Sequence, residues 1–256
     1  MSTATDRERT VAQGGVYLYG IVRASLAGAP DLEGVSGGSL ELLRCGELAA
    51  LLSTLPERGW KVKRRDLERH LDVLEAAFAQ TTILPCPFGT VVASREELED
   101  MLLVGRRDEL LDGLARLDGR VQLNVKALYD EDELLRRVVA SNREIARLRE
   151  RTRGTGDAGY YERVRLGELI AAAVEDHRAR DSARIKDVLA RAALDVAPEE
   201  GAGEAAFRAA FLVDRSSLGE FDALLEATAA AEQPLLRFEA IGPLPPTAFA
   251  ASYAEL

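Results

Sequence analysis

Hydrophobic positions along the chain change period several times, and each change marks an element. Val16 to Val22 is apolar on both alternating faces, with Val16, Leu18 and Val22 on one and Tyr17, Tyr19 and Ile21 on the other. That pattern predicts a central strand covered on both sides, with the tyrosines in the core. Ser25 to Ser39 is rich in Gly, Pro and Asp and reads as a loop. Leu40 to Cys45 and Leu48 to Ser53 predict two strands joined by a tight turn at Gly46-Glu47. From Arg65 to Gln80 the spacing becomes helical, with Leu67, Leu71, Leu74 and Phe78 as the expected apolar stripe and His70 at its border. Thr81 to Val92 is extended and apolar, and Pro85 and Pro87 confine it to an edge, a bend or a bulge. Ser94 and Glu97 form a capping box for a helix through Leu98 and Leu102, which continues or restarts after Gly105 through Leu111, Leu114 and Leu117.

The second half begins with clean alternation. Arg120 to Leu128 puts Val121, Leu123, Val125 and Ala127 on a buried face and Gln122, Asn124 and Lys126 on a wetter one. Asp130 to Glu133 is an acidic helix start, and one helix is expected to run to Thr152, about 30 Å long at 1.5 Å per residue. Its stripe is Leu134, Val138, Ile145 and Leu148, and Asp132 with Arg136 and Glu133 with Arg137 are its i,i+4 pairs. Gly154-Thr-Gly156-Asp-Ala-Gly159 matches a dinucleotide-binding pattern, but it follows a charged run and not a hydrophobic strand, so it reads as a helix-helix loop. A second helix, Tyr160 to Arg180, carries Leu166, Leu169, Ile170, Ala173, Val174 and His177, with a bend expected at Asp181-Ser182 before Ile185, Val188, Leu189 and Ala192. A short strand is expected at Leu194 to Ala197, a turn at Pro198 to Gly203 and a strand at Phe207 to Val213, then a helix capped by Ser217 and Glu220 and carrying Phe221, Leu224 and Thr228. A last strand is expected at Leu235 to Ile241.

From Arg120 the order is therefore strand, helices, strand, strand, helix, strand, which is the β-α-β-β-α-β order of a ferredoxin-like fold with an enlarged first crossover. The expected fold class is α+β with two domains. Residues 1–118 form an N-terminal α+β domain, and 119–256 form a modified ferredoxin-like domain whose long helical extension covers about 131–192.

Composition narrows the function classes. Of 256 residues, 47% are hydrophobic and 30% charged, as in a folded globular chain. The net charge of -10 argues against a nucleic-acid partner, and the basic run Lys61, Lys63, Arg64 and Arg65 is followed at once by Asp66 and Glu68. Cys45 and Cys86 form neither a metal-ligand pair nor a redox motif and read as reduced thiols. Met1 to Gly15 is hydrophilic, and no segment approaches the roughly 20 apolar residues of a membrane span, so a cytoplasmic protein without a membrane partner is expected. His70 and His177 lie on separate helices with no ligand-spaced neighbour, so structural roles are expected for both. No catalytic grouping, phosphate-cradling loop or metal-ligand pair emerges. The expectation is a non-enzymatic interaction protein with no catalytic, cofactor-binding or metal residues and no cofactor.

Several segments in order along the chain resemble one family. They are Tyr17-Leu-Tyr-Gly-Ile-Val22, the region His70 to Val92 with Thr82-Ile-Leu-Pro85 and Phe88-Gly-Thr90, Val125-Lys126, Ala210-Phe-Leu-Val-Asp214 and Gly242-Pro-Leu-Pro-Pro246. Together they resemble the gas vesicle synthesis protein family GvpL/GvpF. Departures are Pro87, where the family often has a basic residue, and Leu244 and Thr247, where aromatic residues are common. The resemblance implies an accessory protein of gas vesicle assembly, associated with the vesicle. It would bind the small hydrophobic shell protein and other accessory proteins as a scaffold or chaperone-like component, without cofactor or catalytic residues. Two alternatives stand beside it. One is a general adaptor whose helical hairpin pairs with another chain through the Leu134 to Leu148 stripe. The other is a small-molecule or nucleotide-binding regulator using the sheet face around Asn124 and Lys126.

Overall fold

The computed structural model describes residues 15–56, 62–154, 159–199, 205–250 and 253. Helices and sheets are mixed throughout, and the chain divides into two compact units. One runs up to Gln122 and takes in the stretch from Pro243; the other is Leu123–Gly242. The C-terminal stretch, expected with the second domain, is held in the first unit by Gln122, whose side-chain oxygen accepts from Ala248 N–H at 2.9 Å. Gln122 is thus buried, not on a wet face.

In the first unit, β1 (Val16–Arg23) is central. It pairs antiparallel with β3 (Leu48–Thr54), which pairs with β2 (Leu40–Cys45) across the turn at Gly46, where φ is +57. On its other edge β1 pairs with β4 (Ile83–Pro85) at one end and β5 (Val91–Val92) at the other. Pro85 and Pro87 bracket the point where the strand leaves the ladder, as expected of residues that cannot donate.

Strict alternation fails in β1. The register shifts between Leu18 and Gly20, so Tyr19 is an extra residue and Val22 joins Tyr17 and Tyr19 in one buried cluster, instead of lying on the face opposite them. Helix α1 (Arg64–Phe78) covers that face with Val73, Leu74 and Ala77. Its expected stripe is rotated: Leu67 and Leu71 are 41% and 45% exposed, while Asp66 and His70 are buried. Polar partners inside the unit receive Asp66 and His70, and the rotation that buries them turns the two leucines outward. On the opposite face, Gly113 of α3 (Arg107–Leu117) meets Leu84. Ahead of it, α2 (Arg95–Glu97) is N-capped by Ser94 Oγ, 3.1 Å from Glu97 N, and leads into a π-helical stretch, Leu98–Val104.

In the second unit a four-stranded sheet has the order β7-β8-β6-β9, from β6 (Arg120–Tyr129), β7 (Asp195–Pro198), β8 (Ala205–Asp214) and β9 (Leu236–Leu244). Between β6 and β7 lie three helices, α4 (Glu131–Ser141), α5 (Arg143–Thr152) and α6 (Tyr160–Leu189). The single helix expected to Thr152 is broken at Asn142, whose side chain accepts from Glu144 and Ile145 N–H at 3.0 and 3.2 Å and starts α5 anew. The bend expected at Asp181-Ser182 is absent, and α6 runs unbroken for 30 residues, about 45 Å. Asp181 does not compete for the backbone because its carboxylate is buried and occupied, accepting from Tyr129 Oη at 2.8 Å and Arg184 at 2.9 Å.

Helix α7 (Leu218–Glu232) buries Phe221, whose ring lies 5.2 Å from that of Phe211. Ser217 precedes it without a side-chain cap; Asp214 instead caps the preceding turn at Ser216 N–H, 2.9 Å away. Glu133 pairs with Arg137 at 2.7 Å as expected, but Arg136 also turns to Glu133 and not to Asp132. The loop expected at Gly154 to Gly159 lies largely outside the described residues, as does part of the turn expected at Pro198 to Gly203.

Candidate functional site

The first unit holds a buried polar hub. Tyr17 Oη is 3.0 Å from His70 Nδ1 and accepts from Gly89 N–H at 3.0 Å. The His70 ring also hydrogen-bonds the Cys86 backbone. With the ring N–H donating to that carbonyl, Nδ1 is the acceptor for the Tyr17 hydroxyl. Beside it, Tyr19 Oη accepts from Val35 N–H at 2.6 Å and lies 3.1 Å from Ser53 Oγ. The Asp66 carboxylate accepts from Ser36 N–H at 3.1 Å and Lys63 N–H at 2.9 Å. The rings pack as they bond: Tyr19 stacks on His70 at 5.7 Å, and Phe88 meets His70 edge-on at 5.6 Å.

Burial decides the charge states. Desolvation lowers the His70 pKa to about 4, outweighing the bond to Cys86, so the ring is neutral at pH 7. Burial also raises the pKa of the Tyr17 and Tyr19 hydroxyls. The Cys86 thiol, fully buried, is pushed up to about 12. These groups hold protons where they are and exchange none near neutrality. The hub therefore works as a latch that fixes two loops, Gly34–Gly38 and Cys86–Thr90, and helix α1 onto β1. Gly89, with φ +91, gives the second loop the backbone that aims its N–H at Tyr17.

The sequence placed both tyrosines in the core and gave His70 a structural role, but it did not join them. Tyr17 on β1, Ser53 on β3, Asp66 and His70 on α1, and Gly89 in the loop after β4 come from four separate segments. The usable signal was two tyrosines in a doubly covered strand, since buried hydroxyls demand partners.

In the second unit the expected contact stripe is spent. Leu134, Val138, Ile145 and Leu148 are all buried, which removes them as an adaptor surface for another chain. Instead the helical excursion exposes Leu135, Tyr160, Tyr161 and Val164, with Tyr161 85% exposed at the start of α6. His177 is half-buried on α6. A cavity of about 480 Å³ at the base of the excursion is lined by residues including Tyr129, Asp130, Leu134, Val174, Arg178 and Arg237. Neither Asn124 nor Lys126 contributes to its lining, and Lys126 Nζ lies 3.7 Å from Glu239. Cys45 and Cys86 are free thiols. Among the described residues no cluster of three or more His, Cys, Asp or Glu has the geometry to hold a metal ion, and no helix is long and apolar enough to cross a membrane.

The family model described as Gas vesicle synthesis protein GvpL/GvpF matches residues 15–251. Gas vesicle protein F of Streptomyces sp. (strain CB03234) is 36% identical over 236 residues, covering 91% of this chain and 98% of that protein. Gas vesicle protein L of the same strain is 28% identical, covering 91% and 92%. Among solved structures, the gas vesicle protein GvpF from Anabaena sp. PCC7120 superposes with a TM-score of 0.78 at 24% identity, covering 93% of this chain and 98% of its own. GvpF from Microcystis aeruginosa gives 0.71 at 25%, covering 92% and 98%. Two of the motifs that carry the resemblance help build the hub, with Tyr17 and Tyr19 from the first and Phe88-Gly-Thr90 closing over His70. The chain belongs to the gas vesicle synthesis protein GvpL/GvpF family.

Proposed function

We propose that this protein acts in gas vesicle assembly as a non-catalytic cytoplasmic component that binds the shell protein or other accessory vesicle proteins, as a scaffold or chaperone. The observation that carries the reading is the family match over residues 15–251. The hub, with its imidazole neutral and its tyrosines hydrogen-bonded, fits a scaffold, because it spends these polar groups on loop geometry and presents no activated nucleophile or base among them. We further read the unit Leu123–Gly242 as a modified ferredoxin-like domain whose first crossover is enlarged into α4–α6. The β-α-β-β-α-β order and the sheet order β7-β8-β6-β9 support that reading. A domain boundary near residues 118–122 follows from it.

The partner contact is assigned to the exposed side of the excursion, where Tyr160, Tyr161 and Val164 present apolar area next to arginines. Tyrosine and arginine are the residue types that anchor interfaces. Pairwise co-expression of the tagged chain with each vesicle protein, followed by pull-down, tests this. Retention of the shell protein or an accessory protein, lost in a Tyr160→Ser/Tyr161→Ser variant, is expected. No association with any of them would refute the binding role.

A further inference from the structure

Two helices of the second unit carry like-charge pairs of opposite sign at the same spacing on their outer faces. On α5, Arg143 and Arg147 are exposed four residues apart and point away from the buried Ile145 and Leu148. Neither makes an ion pair among the described residues. The neighbouring arginines differ: Arg151 pairs with Glu162 and Arg165 with Glu144. On α7, Asp222 and Glu226 are likewise exposed, four residues apart, without a cationic partner among the described residues and opposite the buried Phe221 and Thr228. That helix carries Glu220, Asp222, Glu226 and Glu232 and no basic residue. Glu232 alone of these has an ion-pair partner among the described residues, Arg184.

A like-charge i,i+4 pair works against its own helix, so each pair costs its helix a little and gains nothing within the molecule. Four residues of helix span about 6 Å in both cases, so an Arg143/Arg147 ridge can face an Asp222/Glu226 ridge one to one. Around the acidic pair the outer face of α7 is small, with exposed Gly219, Ala223 and Ala230, which permits a second helix to approach closely. The chain as a whole has a net charge of -10, so a basic ridge on it is matched in charge to another copy of the same chain.

We propose that this protein self-associates by docking the α5 ridge of one copy, through Arg143 and Arg147, on the α7 face of a second copy, at Asp222 and Glu226. Two different surfaces meet in this contact. It closes into a dimer when a two-fold axis makes both contacts at once and propagates into a chain when it does not. The proposal is independent of which vesicle protein the excursion binds and is tested without any of them.

Sedimentation equilibrium of the purified full chain, over a hundredfold concentration range and at about 50 and about 500 mM salt, reads it directly. The wild type should exceed the monomer mass at low salt and dissociate at least about tenfold more readily at high salt. R143E/R147E and D222R/E226R, all exposed positions, should keep the wild-type circular dichroism, and each alone should be monomeric. An equimolar mixture of the two should associate again, because each variant then offers the face the other needs. A monomeric wild type at all concentrations overturns the proposal. So does association that both variants retain, or a mixture that stays monomeric although both variants are folded.

Discussion

Acid should weaken the first unit through His70, and the size of the effect follows from the hub. The ring is 2% exposed, its Nδ1 accepts a hydrogen bond from the Tyr17 hydroxyl, and desolvation lowers its pKa from 6.5 to about 4. Above pH 6.5 both folded and unfolded chains carry a neutral imidazole and the group is silent. Between pH 6.5 and about 4 the unfolded chain binds a proton that the folded chain refuses, so stability falls as pH falls. At about 1.4 kcal/mol per unit, a shift of about 2.5 units removes about 3 kcal/mol, after which the loss levels off. Replacing His70 with Asn puts an amide oxygen near the Nδ1 position and removes the titration. Denaturant unfolding of wild type and His70→Asn from pH 7.5 to pH 4 isolates the group, because contributions from Asp66 and every other carboxylate cancel in the difference. The wild type should lose about 3 kcal/mol more than the variant across that window. Parallel curves would mean that the imidazole is not held neutral by burial and that the latch is described wrongly.

Three further outcomes test the packing. Tyr17→Phe strands Gly89 N–H and His70 Nδ1 and should cost about 1–3 kcal/mol in urea unfolding, whereas a loss below about 0.5 kcal/mol would deny the hub its role. Gly34→Ala places a Cβ 2.6 Å from Tyr19 Oη and 2.8 Å from Gly38 O and should destabilise by about 1–3 kcal/mol; a neutral result, read as an unchanged melting temperature, would contradict the geometry. Asp181→Ala removes the acceptor of Tyr129 and one of the two acceptors of Arg184. It should cost about 1–3 kcal/mol with helix content unchanged by circular dichroism, and a gain in stability would speak against a satisfied network.

Period and turn chemistry carried most of the element order. The Gly46-Glu47 hairpin and the Asp130 helix start, where the carboxylate accepts from Glu133 N–H at 2.9 Å, stand as read, and so does the strand from Arg120 except for its buried Gln122. The misses share a cause: a side chain's partner outweighed the local pattern. Leu67 and Leu71 scored as core, yet burying Asp66 and His70 against distant backbone groups turned them outward. Asn142 sits where the stripe continues in phase, so periodicity hides the break that its side chain makes. Asp181-Ser182 resembled a bend until Tyr129, 52 residues away in sequence, claimed the carboxylate. The hub was illegible for the same reason, being a set of long-range hydrogen bonds that no window of sequence contains. The expected adaptor stripe failed differently: amphipathic spacing reports that a face is buried, not which surface buries it.

Vesicle formation itself tests the central claim most directly. In a host carrying a full vesicle gene set with this gene deleted, pressure-collapsible light scattering should be absent. It should return when the intact chain is supplied and stay absent with the Tyr160→Ser/Tyr161→Ser variant at equal abundance. Normal vesicles in the deletion strain would contradict a role in assembly, and full rescue by the tyrosine variant would contradict the contact surface assigned to the excursion.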